Sequence, residues 1–284
     1  MRAMSLALRR AALGLVLLGF AAAGATAGPE DLARAREAYN GERYDEAIEA
    51  ARTAMASPRL VDASRLIIAR AHLEQYRLTA NADDLSAARD ALRAIDPANL
   101  NGADHAELLV GLGEWLFFAE RFGAAAELFA DALARPDLGR ESRTARARAL
   151  DWWASALDRH AQRTPGRRDA IYGEMLHRLE DELRRDPGSS SANYWMVVAA
   201  RGIGDLERAW QLAMAAWIRA GLAPDRGASL RADIDRFVLT AIIPERARSA
   251  ERATQDQRQA VADAMVTEWE RFKTDWETGV GAGS

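Results

Sequence analysis

The sequence predicts an all-α chain of repeated helical hairpins, and three observations carry that expectation. A small-residue signature recurs: one position is followed twelve residues later by Ala and seven later by Ala again, at Ala35/Ala47/Ala54, Gly113/Ala125/Ala132 and, with a bulkier start, Val197/Ala209/Ala216. Small side chains at such positions let two antiparallel helices approach closely. Alanine is abundant, 49% of the residues are hydrophobic and no long run alternates β-branched with polar residues, so nothing requires a sheet. There is no cysteine, which excludes disulfides, thiolate metal sites, a nucleophilic thiol and an acylated cysteine, and leaves the core to hold the fold.

Residues 1–27 open with Arg2, Arg9 and Arg10, continue in an apolar run over 11–23 and end in Ala25-Thr26-Ala27. This is the layout of a secretory signal peptide cleaved near Ala27, placing the mature chain in the periplasm or outside the cell. The run is shorter than the roughly 20 residues of a transmembrane helix, although carrying it on to Ala27 approaches that length and leaves an uncleaved anchor as the alternative. With the signal removed, no stable membrane span is expected. Leu8-Arg9-Arg10-Ala11-Ala12 lacks the polar residue before and the bulky one after the pair that twin-arginine signals carry. The formal net charge of −4 includes the three signal arginines without an acid to offset them, leaving the remainder at −7. Such a surface argues against nucleic acid as a general partner.

From residue 28 onward the hairpins follow in order. The first turns through Ala38-Tyr39-Asn40-Gly41-Glu42-Arg43-Tyr44-Asp45-Glu46-Ala47-Ile48, the third through Glu120-Arg121-Phe122-Gly123-Ala124-Ala125-Ala126-Glu127-Leu128-Phe129, and the fifth through Gly204-Asp205-Leu206-Glu207-Arg208-Ala209-Trp210. The clear signatures lie 78 and 84 residues apart, about twice a helical repeat, so a degenerate unit is expected in each gap. Residues 66–76 with 85–95, and 147–160 with 171–183, supply them, each closed by Asp-Pro at Asp96-Pro97 and Asp186-Pro187. The resulting pitch of about 40 is longer than usual for such units, and polar connections over 77–84 and 161–168 are expected to hold the excess. Glycines 41, 123 and 204 are read as the turns into the second helices.

These segments resemble tetratricopeptide repeats. The resemblance implies a right-handed α-solenoid of about five hairpins over 28–221, a scaffold whose first helices line a concave groove. Beyond it, residues 222–278 read as C-terminal capping helices. One runs over 230–243 on Leu230, Ile234, Phe237, Val238 and Ile242 and is ended by Pro244; the last runs over about 256–277 with Val261, Met265, Trp269, Phe272 and Trp276 on one stripe. That stripe either folds back as a cap or pairs with a second copy as a homo-oligomer. Residues 279–284 read as a disordered tail.

No phosphate-binding loop, nucleophile elbow, zinc-protease or calcium-loop motif is present, so the expectation is a non-enzyme without cofactor or metal. Glu174-x-x-His177 has di-iron spacing but occurs only once. Glu180 with Arg184, and Asp181 with Arg185, stand at i, i+4 and read as weak ion pairs on a solvated face. Carried over from the resemblance, the groove would offer Leu32, Arg36, Tyr39 and Asn40 from the first hairpin, Glu107, Val110, Glu114, Phe117 and Phe118 from the third, and Tyr194, Val198 and Arg201 from the fifth. Trp152 and Trp153 fall on the first helix of the fourth, and because neighbours on a helix are about 100° apart, the two indoles should not be equally buried. The implied partner is a protein or peptide segment. The alternative is a helical carrier of a small apolar ligand lined by the same aromatics, and an enzyme with an unrecognised site ranks third.

Overall fold

The computed structural model describes residues 28–138, 143–223, 225–249 and 254–278. Residues 1–27, expected to form a signal segment, and residues 279–284, expected to form a tail, lie outside them. Among the described residues all regular structure is helical. The order is α1 (Pro29–Asn40), α2 (Tyr44–Ala54), α3 (Val61–Thr79), α4 (Ala82–Arg93), α5 (Gly102–Phe118), α6 (Phe122–Ala134), α7 (Arg143–Arg163), α8 (Arg168–Arg185), α9 (Ser190–Gly202), α10 (Leu206–Arg219), α11 (Ala228–Phe237), α12 (Ile243–Arg248) and α13 (Gln255–Thr278). Among the described residues no helix is long and apolar enough to cross a membrane.

One turn design joins four of the helix pairs. A residue in the left-handed region is followed by the N-cap and first residue of the next helix: Glu42-Arg43-Tyr44, Ala80-Asn81-Ala82, Glu120-Arg121-Phe122 and Gly204-Asp205-Leu206, with φ of 59°, 56°, 59° and 81° at the leading positions. In three of them the carbonyls left over at the helix end are closed in the same way. Arg43 N–H donates to Ala38 O (2.9 Å), Arg121 N–H to Leu116 O (2.8 Å) and Asp205 N–H to Ala200 O (3.1 Å), the six-to-one bond of a Schellman end. The expected glycine-containing turn is thus present at Gly41 and at Gly204 but not at Gly123, and of the three only Gly204 takes the left-handed position. Gly41 has φ −88° and Gly123 lies inside α6 facing His160, while Glu42 and Glu120 take the strained position, where a non-glycine residue costs about 1–2 kcal/mol.

The long pitch has a different origin from the one expected. Only Ala80 and Asn81 separate α3 from α4, and Pro165–Arg167 forms a short 3-10 turn between α7 and α8. The extra residues sit in long helices instead: α3 has 19 residues, α5 17, α7 21 and α8 18, against 12 in α1. Pro244 likewise does not end its helix. A π-helical stretch, Val238–Ile242, precedes it and α12 continues to Arg248 with the proline in its first turn. There its missing N–H does no harm, and the wider turn relieves the proline ring's conflict with the preceding carbonyls.

Each helix from α1 to α10 packs on its successor, as α12 does on α13, while α11 meets α12 through the π-helical stretch Val238–Ile242; the odd-numbered helices α1, α3, α5, α7, α9 and α11 also pack one on the next. The small residues of the signature lie at these contacts: Ala35, Ala47, Ala54, Ala125 and Ala132 are fully buried. A Cβ on Gly113 would meet the Phe129 ring at 2.6 Å, and one on Gly202 the Tyr172 ring at 2.5 Å. At the far end α13 lies on α12 and α10. Trp269 is fully buried against Trp210 and Trp217, both 5.6 Å away, and its Nε1–H donates to Asp235 at 2.8 Å. Lys273, the single lysine, bonds the same carboxylate at 2.7 Å. Burial of the α13 stripe is confined to its middle: Val261 and Trp276, near its ends, remain exposed.

Candidate functional site

The inward faces of α1, α3, α5 and α7 converge on one cleft of about 840 Å³. Arg36, Tyr39 and Asn40 come from the last turns of α1, Arg70, Glu74 and Arg77 from the second half of α3, Asp104 and Glu107 from the start of α5, and Thr144, Arg148 and Trp152 from α7. Periodicity explains the selection. On α3 the residues 66, 70, 74 and 77 share a face, and on α7 residues 144, 148 and 152 do the same. Side chains of helices distant in sequence meet across the cleft. Arg36 of α1 holds Asp104 of α5 at 2.9 and 3.0 Å, and the Arg148 guanidinium of α7 lies over the Tyr39 ring of α1 at 6.0 Å.

A buried charge cluster forms the floor. Arg70, 2% exposed, donates through Nη1 to Glu107 and through Nη2 to Glu114 Oε1 at 3.2 Å, and also lies over the Tyr39 ring at 5.7 Å. Glu114 is 1% exposed; its Oε2 is 3.2 Å from Arg70 Nε but lacks hydrogen-bond geometry. Burial pushes its carboxyl up to about 7 despite the opposing pull of Arg70. The Tyr39 hydroxyl is buried without a hydrogen-bond partner, and burial raises it far above the usual phenol range. At the rim, Glu74 is held by Arg77 at 2.6 Å. Arg148 makes no ion pair among the described residues, whereas Arg36, Arg70 and Arg77 each have a carboxylate.

The structure groups the sequence-selected residues unevenly. Tyr39, Asn40 and Trp152 line the cleft, and Glu114 lies beneath it. Phe117, Phe118 and Trp152 form a packed aromatic cluster with Tyr76, Phe122 and Phe129, their ring centroids 5.0 to 6.1 Å apart and mostly edge to face. These rings face one another, not an apolar chamber. Trp153 points the other way from Trp152, is 3% exposed and packs beneath Arg178, so its indole is part of the core. Tyr194 and Arg201 lie further along, both against Phe237, with Arg201 Nε donating to Glu245 at 2.9 Å.

Glu174 and His177 are both exposed on α8. The ion pairs near the end of α8 differ from those expected: Arg184 pairs with Asp181, Arg185 with Glu182, and Glu180 with Arg208 of α10 at 2.9 Å. Glu182 is buried and takes a two-pronged bond from Arg146 at 2.9 and 2.7 Å, which holds its carboxyl below the usual range. Glu180 and Glu182 are taken up by arginines of neighbouring helices, and Arg184 and Arg185 settle on i, i+3 partners of α8 itself, a spacing that lies as close on the helix surface as i, i+4.

The sequence reading missed Arg70 and Arg148. Each stands in a helix taken as degenerate, although Arg70 does break an apolar run, Leu66-Ile67-Ile68-Ala69, and Arg148 precedes Trp152 by one turn. No family model, curated protein or solved structure matches this chain.

Proposed function

We propose that the chain is an exported α-solenoid of the tetratricopeptide kind, built of about five hairpins, and that it acts without catalysis by holding a polypeptide segment in the cleft between α1, α3, α5 and α7. The single observation that carries this reading is the convergence of four successive inward helix faces on one open space of about 840 Å³. That volume is within the range of ligand sites, roughly 300–1,000 Å³, and its walls mix charged groups with apolar ones such as Leu66, Ile67, Leu138 and Trp152. A polypeptide segment, which carries polar and apolar groups together, matches such walls, whereas a wholly apolar small molecule would leave the charged ones unpaired. The repeated turn at Glu42, Ala80, Glu120 and Gly204, and the packing of odd-numbered helices one on the next, support the solenoid.

The absence of native cysteine makes a direct test available. A photo-crosslinker attached at Asn40→Cys or Ala103→Cys, both inside the cleft, is expected to capture a protein from an envelope extract that the same reagent on Glu49→Cys, exposed on α2, does not capture. Adducts formed only from Glu49→Cys would sink the proposal.

A further inference from the structure

Two incompletely used groups beside Tyr39 point to the kind of group the cleft receives. The cleft around it brings together Tyr39 and Arg36 from α1, Glu42 from the turn after it, Arg70, Glu74 and Arg77 from α3, Asp104, Glu107 and Glu114 from α5, Asp137 from the segment after α6, and Arg148 with Thr144 from α7. Two rim pairs neutralise themselves, Arg36 with Asp104 and Arg77 with Glu74. Beside Tyr39 this leaves Arg70 held between Glu107 and Glu114, and Arg148 without an ion pair among the described residues. The cleft walls as a whole carry no excess of positive charge, so the anion-seeking character is local to Arg148.

Two of these groups are also incompletely used. Arg148 has no carboxylate partner among the described residues, and the Tyr39 hydroxyl, kept protonated, is a donor without an acceptor. Trp152 stands one turn beyond Arg148 and Thr144 one turn before it on the same wall.

We propose that Arg148 and the Tyr39 hydroxyl form a subsite for an oxyanion, a carboxylate or phosphate carried on a bound segment or present as a free anion. The guanidinium gives the forked bond that arginine makes to such groups. As it turns from the Tyr39 ring to the ligand it uncovers the phenol, which donates to a further oxygen. This inference rests on occupancy of the cleft but adds the sign and chemistry of the occupant.

The linkage to Glu114 makes the assignment testable. An anion beside Arg148 favours the protonated form of Glu114, so binding takes up protons and strengthens as pH falls from 8 to 6. A cationic ligand would have the opposite dependence. Calorimetric titration of the full chain with capped hexaglutamate, capped hexalysine and inorganic phosphate tests this. The expected result is binding of hexaglutamate or phosphate, weakened about tenfold by Arg148→Met and partly restored by Arg148→Lys. Tighter binding at pH 6 should be lost in Glu114→Gln, and far-ultraviolet dichroism would check that each variant is folded. Phosphate binding without hexaglutamate binding keeps the subsite but overturns the polypeptide reading. Hexalysine binding that Trp152→Phe weakens and Arg148→Met does not overturns the oxyanion while leaving the cleft reading intact. No binding of either oxyanion at millimolar concentration, or oxyanion binding indifferent to Arg148→Met, also overturns the subsite.

Discussion

Glu114 shows how one buried side chain ties stability to pH. Its carboxyl is raised from 4.5 to about 7 by burial, so the folded state prefers the neutral form. The stabilisation associated with that form is complete below the unfolded value and is lost as pH climbs through 7, by roughly 3 kcal/mol in all. Glu114→Gln fixes the neutral form while Glu107 continues to hold Arg70. Denaturant unfolding at pH 5 to 8 should therefore give a stability that falls with pH in the parent and falls less steeply in the variant; equal slopes would remove Glu114 as the source. That Glu114 belongs near the site was readable from its place on α5. Its burial was not, because burial depends on Arg70 arriving from α3 and Tyr39 from α1, residues 44 and 75 positions away in sequence.

Among elements, the pairing of α5 with α6 is decided by the missing side chain at Gly113. Alanine is the better helix former by about 1 kcal/mol, yet its Cβ would lie 2.6 Å from the Phe129 ring. That ring is fully buried and stacked on Trp152 at 6.1 Å, so it has little room to yield. Overpacking of this kind costs about 1–3 kcal/mol. Gly113→Ala should therefore lower the unfolding free energy by about 1 kcal/mol, and adding Phe129→Leu should recover part of the loss. A more stable Gly113→Ala would mean that the helices can separate without penalty. The spacing that marks this contact was legible in the sequence, as were the helices themselves, because small and apolar residues recur at helical intervals. Helix lengths were less legible: polar residues over 77–84 looked like a connection, but with Asn81 as a cap they serve as the exposed end of α3 and start of α4.

On the scale of the whole molecule, the chain end at α13 covers the last apolar surface. Trp269→Ala would remove a fully buried indole and its bond to Asp235, a loss of about 3–5 kcal/mol. In the solenoid proposed, where each unit contacts mainly its neighbours, the damage stays local. Amide exchange should accelerate in α10 to α12 and remain unchanged in α1 to α4; uniform acceleration would show one cooperative unit instead. The sequence by itself determined that the chain is helical, which residues allow helices to meet, and that an apolar stripe lies on the last helix. These are local properties, set by periodicity and side-chain size. Only the tertiary structure decided that Arg36 reaches Asp104, that Arg70 is buried between two carboxylates, that Trp152 lines the cleft while Trp153 fills the core, and that Arg148 is left without an ion pair. Each of these depends on how helices distant in sequence are placed against one another, which no single segment encodes.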